Sequence, residues 1–177
     1  IARSTLGDWV AAVAEACRPL TALMKAEVLR SAIIHTDDIP VPVQDRTRTT
    51  TRTGRLWPYL GDADHPDVVF DYTPTRSRDG PQAFLKDWVG YLQADAYAGY
   101  DRIYAGGRVI EVACWAHVRR KFFEARVSDR IRAHQAIAFI RRLYDVERDA
   151  HDVAPVERQR LRQARAVPVL EEIARWL

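Results

Sequence analysis

The chain has 177 residues, 47% hydrophobic and 29% charged, with a formal net charge of +3; this is the balance of a globular chain with one ordinary core, and it excludes a disordered or fibrous protein. No apolar run approaches the roughly 18–20 residues of a membrane span, no basic start leads into an apolar stretch as in a signal peptide, and two distant cysteines, Cys17 and Cys114, give no disulfide framework and suit a reducing cytoplasm. The charge is uneven: residues 115–177 carry 14 Lys and Arg against 9 Asp and Glu, residues 1–114 carry 13 against 15, so the C-terminal third suits either a polyanion such as DNA or a solvated helical surface.

Residues 4–30 predict a helix with Ser4 or Thr5 at its cap. Trp9, Val13, Ala16, Leu20, Leu23 and Leu29 fall near one face, and Pro19 should kink or divide the segment. It reads as a packing helix for the domain after it or as a linker from a preceding DNA-binding region. Residues 32–44 predict a strand buried through Ile34 that opens at Asp37-Asp38, with Pro40 and Pro42 marking an edge, a bulge or the strand end. Residues 45–55 form a polar loop whose Arg46, Arg48, Arg52 and Arg55 read as a solvated hairpin or a phosphate clamp. Strands are expected near 55–61 and 67–73, joined by a turn of Asp62, Asp64, His65 and Pro66.

Gly80-Pro81 then opens a helix with Phe84, Leu85, Trp88 and Val89 on its apolar face. Residues 91–95 are a short strand ending at Asp95. Residues 96–105 are a short helix carrying Tyr97, Tyr100 and Tyr104, which read as core packing or base-stacking groups, and Gly106-Gly107 breaks it. Residues 109–115 are a strand, with Trp115 as core. Everything from His117 onward is helical: Ala133, Ala136, Ile137, Ile140 and Tyr144 share one face, and Pro155 and Pro168 separate later helices. Three sequential strands suggest an antiparallel meander, and strands separated by a helix suggest parallel additions. The fold class is therefore α/β, a mixed five-stranded sheet with flanking helices, preceded by an N-terminal helix and followed by a helical extension. Both chain ends, Ile1 and Trp176-Leu177, read as cuts in a longer chain.

Asp37 and Asp95 end β-like runs, and the carboxyl edge of a sheet is where such folds bind ligands. Two carboxylates brought together there repel unless a divalent cation neutralises them. Their hard oxygens suit Mg²⁺ or Mn²⁺, and a pair of such ions roughly 3.5–4 Å apart serves phosphoryl transfer. Asp38 would point to the opposite face of a continuing strand and ranks below Asp37. His35, two residues before Asp37, would share its face as a supporting group, or be a packed structural histidine. Cys114 and His117 have a metal-like spacing, but one pair is not a zinc site. His117 reads as a junction residue or a DNA-contacting support.

Three stretches occur in order: His35-Thr36-Asp37-Asp38, Leu92-Gln93-Ala94-Asp95-Ala96-Tyr97-Ala98-Gly99-Tyr100, and Cys114-Trp115-Ala116-His117-Val118-Arg119-Arg120-Lys121-Phe122-Phe123. With Gly54-Arg55-Leu56-Trp57 and Pro81-Gln82-Ala83, they closely resemble the transposases of the IS66 family of bacterial insertion sequences, from about Ser4 to the end. Ile39 replaces the family's usual Thr and Ala96 its usual Gly; neither change removes a carboxylate. The resemblance implies an RNase H-like core with an Asp-Asp-Glu triad, to which Asp37 and Asp95 contribute as catalytic and metal-binding residues. It implies residues 1–30 as a linker helix, 31–126 as the core and 127–177 as a truncated helical insertion. It also implies Mg²⁺ or Mn²⁺ as cofactor, DNA as partner, a homo-oligomer at full length, and a cytoplasmic, nucleoid-associated place of work.

The family's third acid lies in an Asn-Asn-x-x-Glu context that this sequence lacks. Glu124 is the candidate substitute, or else a surface residue pairing with Lys121 or Arg120; Glu111 comes too early. Arg119, Arg120 and Lys121 are candidate phosphate contacts, since the guanidinium fork matches phosphate oxygens. The chain alone is expected to be inactive. An RNase H-like nuclease or resolvase, or a non-enzymatic DNA-binding remnant, are the competing readings.

Overall fold

A computed structural model of the chain describes residues 1–45 and 47–177. They divide into two compact units, Ile1–Ala113 and Cys114–Leu177. No helix among the described residues is long and apolar enough to cross a membrane.

The first unit begins with α1 (Arg3–Ala16) and α2 (Arg18–Val28). The division falls at Cys17, and Pro19 sits in the first turn of α2, where a missing N–H costs no helical bond. Ser4 and Thr5 are not caps. The helix starts at Arg3 with Ala2 at the N-cap, so both hydroxyls lie within the first turn. α1 buries none of its side chains, and Trp9, Val13, Leu20 and Leu23 are exposed. The core is reached only near the end of α2, by Met24, Val28 and Leu29.

The strands are β1 (Ile33–Thr36), β2 (Ile39–Val43), β3 (Arg52–Leu60), β4 (Val68–Thr73), β5 (Gly90–Ala94) and β6 (Val109–Ala113). α3 (Asp79–Phe84) joins β4 to β5, and a 3₁₀ turn (Ala98–Tyr100) runs into α4 (Asp101–Tyr104) before β6. β3 pairs antiparallel with β1, β2 and β4, whereas β1–β5 and β5–β6 are parallel. The described sheet thus has six strands where five were expected, because residues 32–44 form two. β1 and β2 keep one register along the same edge of β3: Thr36 faces Tyr59 and Ile39 faces Leu56. They are one line interrupted at Asp37-Asp38, with β4 on β3's other edge. This mixed sheet with flanking helices is consistent with an RNase H-like arrangement.

Opposite the break, β3 offers one donor fewer. Gly61, next to the end of β3, donates its N–H to Asp67 on the β4 side at 3.0 Å. Successive residues of an antiparallel strand present their N–H groups to alternate edges, so position 58 faces the β1–β2 line. Residue 58 is a proline and offers no N–H opposite Asp37.

Burial alternates along the strands and selects one face. Ile34, Trp57, Tyr59, Val69, Leu92, Ala94 and Val109 form the core with Val28, Phe84, Leu85, Trp88 and Tyr100. Tyr59 stacks on Phe84 at 3.6 Å between ring centroids. The opposite face carries Ile33, Leu60, Val68, Phe70, Tyr72, Tyr91 and Ile110, all exposed. Val89, expected to pack with Phe84 and Trp88, is exposed as well, since α3 ends at Phe84.

The second unit contains α5 (Trp115–Glu124), a 3₁₀ turn (Ala125–Val127), α6 (Arg130–Asp149), α7 (Pro155–Leu161) and α8 (Val167–Trp176). The last strand of the first unit stops at Ala113, so Trp115 opens a helix instead of ending a strand. Asp129 caps α6 by accepting from the Arg132 N–H. The buried stripe of α6 is Ala133, Ala136, Ile140, Leu143 and Val146; Tyr144, expected on it, is exposed. Pro155 starts α7, and Pro168 stands in the first turn of α8. A π-helical turn, Arg162–Ala166, carries α7 into α8, widening the helix where proline supplies no N–H. Arg142 pairs with Glu172, Arg162 with Glu147 at 2.6 Å, and Arg165 with Asp149 at 2.7 Å, tying α6 to the later helices.

Candidate metal centre

β1 and β5 are parallel neighbours, with Ile34 opposite Leu92 and His35 opposite Gln93. Asp37 and Asp95 each follow the last residue of their strand, so both carboxylates emerge at the same end of the sheet. Asp38 joins them: one carboxylate oxygen from each of Asp37, Asp38 and Asp95 lies within 4.8 Å of the others. Asp38 keeps to the buried side of the line, with Ile34 and Thr36, and its side chain is almost fully covered.

The three carboxylates are held differently. Asp37 Oδ1 accepts the Asp38 backbone N–H at 2.8 Å, and Asp95 Oδ1 accepts that of Tyr97 at 3.2 Å. Asp38 has a side chain only 5% exposed and meets two guanidinium groups. Arg55 Nη1 donates to its Oδ2 at 2.7 Å. Arg76 donates to its Oδ1 from Nε at 2.9 Å and from Nη2 at 2.5 Å. The same Nη2 reaches Asp95 Oδ2 at 3.4 Å.

Arg76 stands in the loop between β4 and α3, and that loop is fixed. Trp57 Nε1 donates to Thr73 Oγ1 at 2.7 Å, and Thr73 Oγ1 donates to the Thr75 carbonyl at 2.7 Å. Tyr97 Oη donates to the Arg76 carbonyl, and the Arg76 guanidinium lies 4.1 Å from the centre of the Tyr97 ring, close enough for a cation–π contact. Burial works against the charge of Arg76, but its bonds to Asp38 and the charges of Asp38 and Asp95 outweigh this and hold its pKa above the ordinary arginine value. The cluster is also felt beneath: burial pushes the Tyr100 phenol up, and the charges of Asp95, Asp38 and Asp37 push it the same way.

His35 is exposed and is not among the clustered ligand groups. On α5, in the second unit, Arg119 and Arg120 are exposed, His117 lies in the first turn, and Lys121 pairs with Glu124 at 3.9 Å. Glu111 is exposed on β6. Of the arginines in the 45–55 loop, Arg46 lies outside the described residues, Arg48 lies 3.9 Å from Asp45, and Arg55 belongs to the carboxylate cluster. Arg76 is the group that sequence reasoning missed. It lies 38 residues from Asp38 in a loop with no motif, so no local signal marks it.

The donor set fits a hard divalent cation. Carboxylate oxygens are the ligands such ions prefer, and Asp37, Asp38 and Asp95 each bring one within 4.8 Å of the others.

The chain matches the family described as Transposase IS66 family over residues 1–177. It is similar to three proteins of Sinorhizobium fredii (strain NBRC 101917 / NGR234). With Uncharacterized protein y4hP it is 30% identical over 200 residues, covering 100% of this chain and 36% of that protein. With Uncharacterized protein y4jD it is 27% identical over 185 residues, covering 97% and 36%. With Uncharacterized protein y4qI it is 22% identical over 187 residues, covering 98% and 35%. The chain spans about a third of the length of these relatives.

Proposed function

The chain belongs to the IS66 family of transposases, and we propose that it carries two of the acids, Asp37 and Asp95, of a metal-dependent DNA cleavage and strand-transfer site. The observation that carries this reading is the convergence of Asp37 and Asp95 at the ends of two parallel neighbouring strands, with oxygens within 4.8 Å. Asp37 and Asp95 would hold Mg²⁺ or Mn²⁺. When bound there, such a cation would supply charge neutralisation at a phosphodiester and activation of a water or 3′-hydroxyl nucleophile. The sheet supplies positioning: both ligands leave rigid hydrogen-bonded strands, so little reorganisation is needed as substrate binds.

DNA is the proposed partner, with Arg119, Arg120 and Lys121 on phosphates and with homo-oligomers of the intact protein joining two element ends in the bacterial nucleoid. His35 and His117 are proposed as supporting groups. Residues 1–30 are read as the linker, 31–126 as the catalytic core and 127–177 as the helical insertion. The acidic cluster among the described residues contains no glutamate, so the 177-residue chain by itself is proposed to be inactive.

A strand-transfer assay with pre-cleaved element ends tests this. A full-length protein containing this chain should join the ends in Mg²⁺, and Asp37→Asn or Asp95→Asn should cut joining by about 100-fold or more. Hydrolysis without joining would point instead to an RNase H-like nuclease. Joining by the 177 residues alone would overturn the inactivity and direct attention to Glu124, through Glu124→Gln.

A further inference from the structure

Arg76 bonds to two of the three clustered carboxylates, and it does so unequally. Its contacts to Asp38 are short, at 2.5 and 2.9 Å, and its contact to Asp95 is long, at 3.4 Å. Asp38 is further held by Arg55 at 2.7 Å, so both of its oxygens are committed to guanidinium groups. Asp38 therefore anchors Arg76 rather than offering a free ligand. Tyr97 closes the other side, through its ring and through its bond to the Arg76 carbonyl. The guanidinium is thus fixed beside Asp95 by groups that are themselves fixed.

A divalent cation bound to Asp95 must come within about 2.0–2.6 Å of a carboxylate oxygen. The Arg76 guanidinium already sits on Oδ2 of that carboxylate, and like charges at such distances repel strongly where water is partly excluded. The longer of its contacts is the one that lies in the cation's way.

We propose that Arg76 is a positioning residue: anchored on Asp38, it serves as the counter-cation of Asp95 until a divalent cation takes its place, and so sets the cation concentration at which the site fills. This rests on the reading of Asp37 and Asp95 as metal ligands. Arg76 holds Asp38 and Asp95 together in the metal-free chain, and it yields Asp95 without leaving Asp38 when the cation enters.

The test is Mn²⁺ binding to the whole 177-residue chain, followed by electron paramagnetic resonance of free Mn²⁺. Arg76→Gln should bind Mn²⁺ about 10-fold more tightly than the parent, because a competing charge is gone. Arg76→Lys keeps that charge and should stay within about 3-fold of the parent. A purely structural role would weaken binding in both variants, and that result, or unchanged binding in Arg76→Gln, overturns the inference. Melting curves in chelator establish that each variant folds. Should Arg76→Gln fail to fold, Tyr97→Leu loosens the same guanidinium and should also tighten binding; weaker or equal binding there overturns the inference too. Asp37→Asn and Asp95→Asn separate the two layers. If both bind Mn²⁺ like the parent, the metal-site reading itself falls. If they lose it while Arg76→Gln binds no more tightly, only the role of Arg76 falls.

Discussion

Asp62 does for the fold what Asp38 does for the site, by gathering donors around one carboxylate. Its Oδ2 accepts the N–H groups of Ala32 at 2.7 Å and Ile33 at 3.4 Å, and its Oδ1 those of Asp64 and His65 at 3.2 Å. It thereby ties the start of β1 to the β3–β4 turn. Gly61 beside it has no room for a side chain, since a Cβ there would lie 2.0 Å from the His65 carbonyl oxygen. Partial removal from water works to raise the Asp62 pKa, but the four backbone donors outweigh it and hold the carboxyl below its ordinary value. Stability from such a group is present above the ordinary Asp range and is lost as pH falls through the depressed value. We expect Asp62→Asn to melt below the parent at pH 7, with the gap closing as the pH is lowered past about 4. Melting curves between pH 7 and 2.5 check this, and a gap that stays constant contradicts it.

At the scale of elements, the interrupted line of β1 and β2 matters most. At the break Asp38 lies on the covered side of the line, and there it meets Arg55 and Arg76. Pro58 stands opposite the break and offers no N–H towards Asp37. Pro58→Val supplies that donor and restores strand geometry across the gap. The expected outcome is an equal or higher melting temperature together with weaker Mn²⁺ binding; tighter binding would show that the break does not shape the site. The Arg76 loop depends on β3 in the same way, through the relay from Trp57 to Thr73 and Thr75.

Over the whole chain, burial is one-sided in the sheet, and charge is partly spent within the second unit. Leu92 is fully buried while Tyr91, one residue earlier on the same strand, is 47% exposed. Leu92→Ala should cost about 2–5 kcal/mol, and Tyr91→Lys less than about 1 kcal/mol, as read by denaturant unfolding. Comparable losses would mean that the exposed face is covered. In the second unit, Arg142, Arg148, Arg160, Arg162 and Arg165 all pair with carboxylates. The basic excess of residues 115–177 is therefore less available to DNA than composition suggests, and exposed Arg119 and Arg120 stand out. Replacing Arg119, Arg120 and Lys121 by Ala should weaken DNA binding and lower the salt slope by about 0.9 for each phosphate no longer neutralised. An unchanged slope in a filter-binding titration removes them from the interface.

The sequence by itself determined what local rules control. Hydrophobic periodicity and punctuation by Pro and Gly set the order of helices and strands, including the division near Pro19, and put Asp37 and Asp95 at strand ends. Motif order pointed to the family. Tertiary structure decided what depends on contacts between distant residues. Alternation separates Asp38 from Asp37 along the chain, but only the fold brings Arg55 and Arg76 onto Asp38 and one oxygen of each acid within 4.8 Å of the others. Arg76 was invisible because its partners lie 38 and 19 residues away. Pro168 read as separating two helices, and a π turn joins the two it stands between. The amphipathic pattern of α1 promised packing that is not found, since a pattern marks a face able to be buried, and only the assembled core decides whether anything meets it.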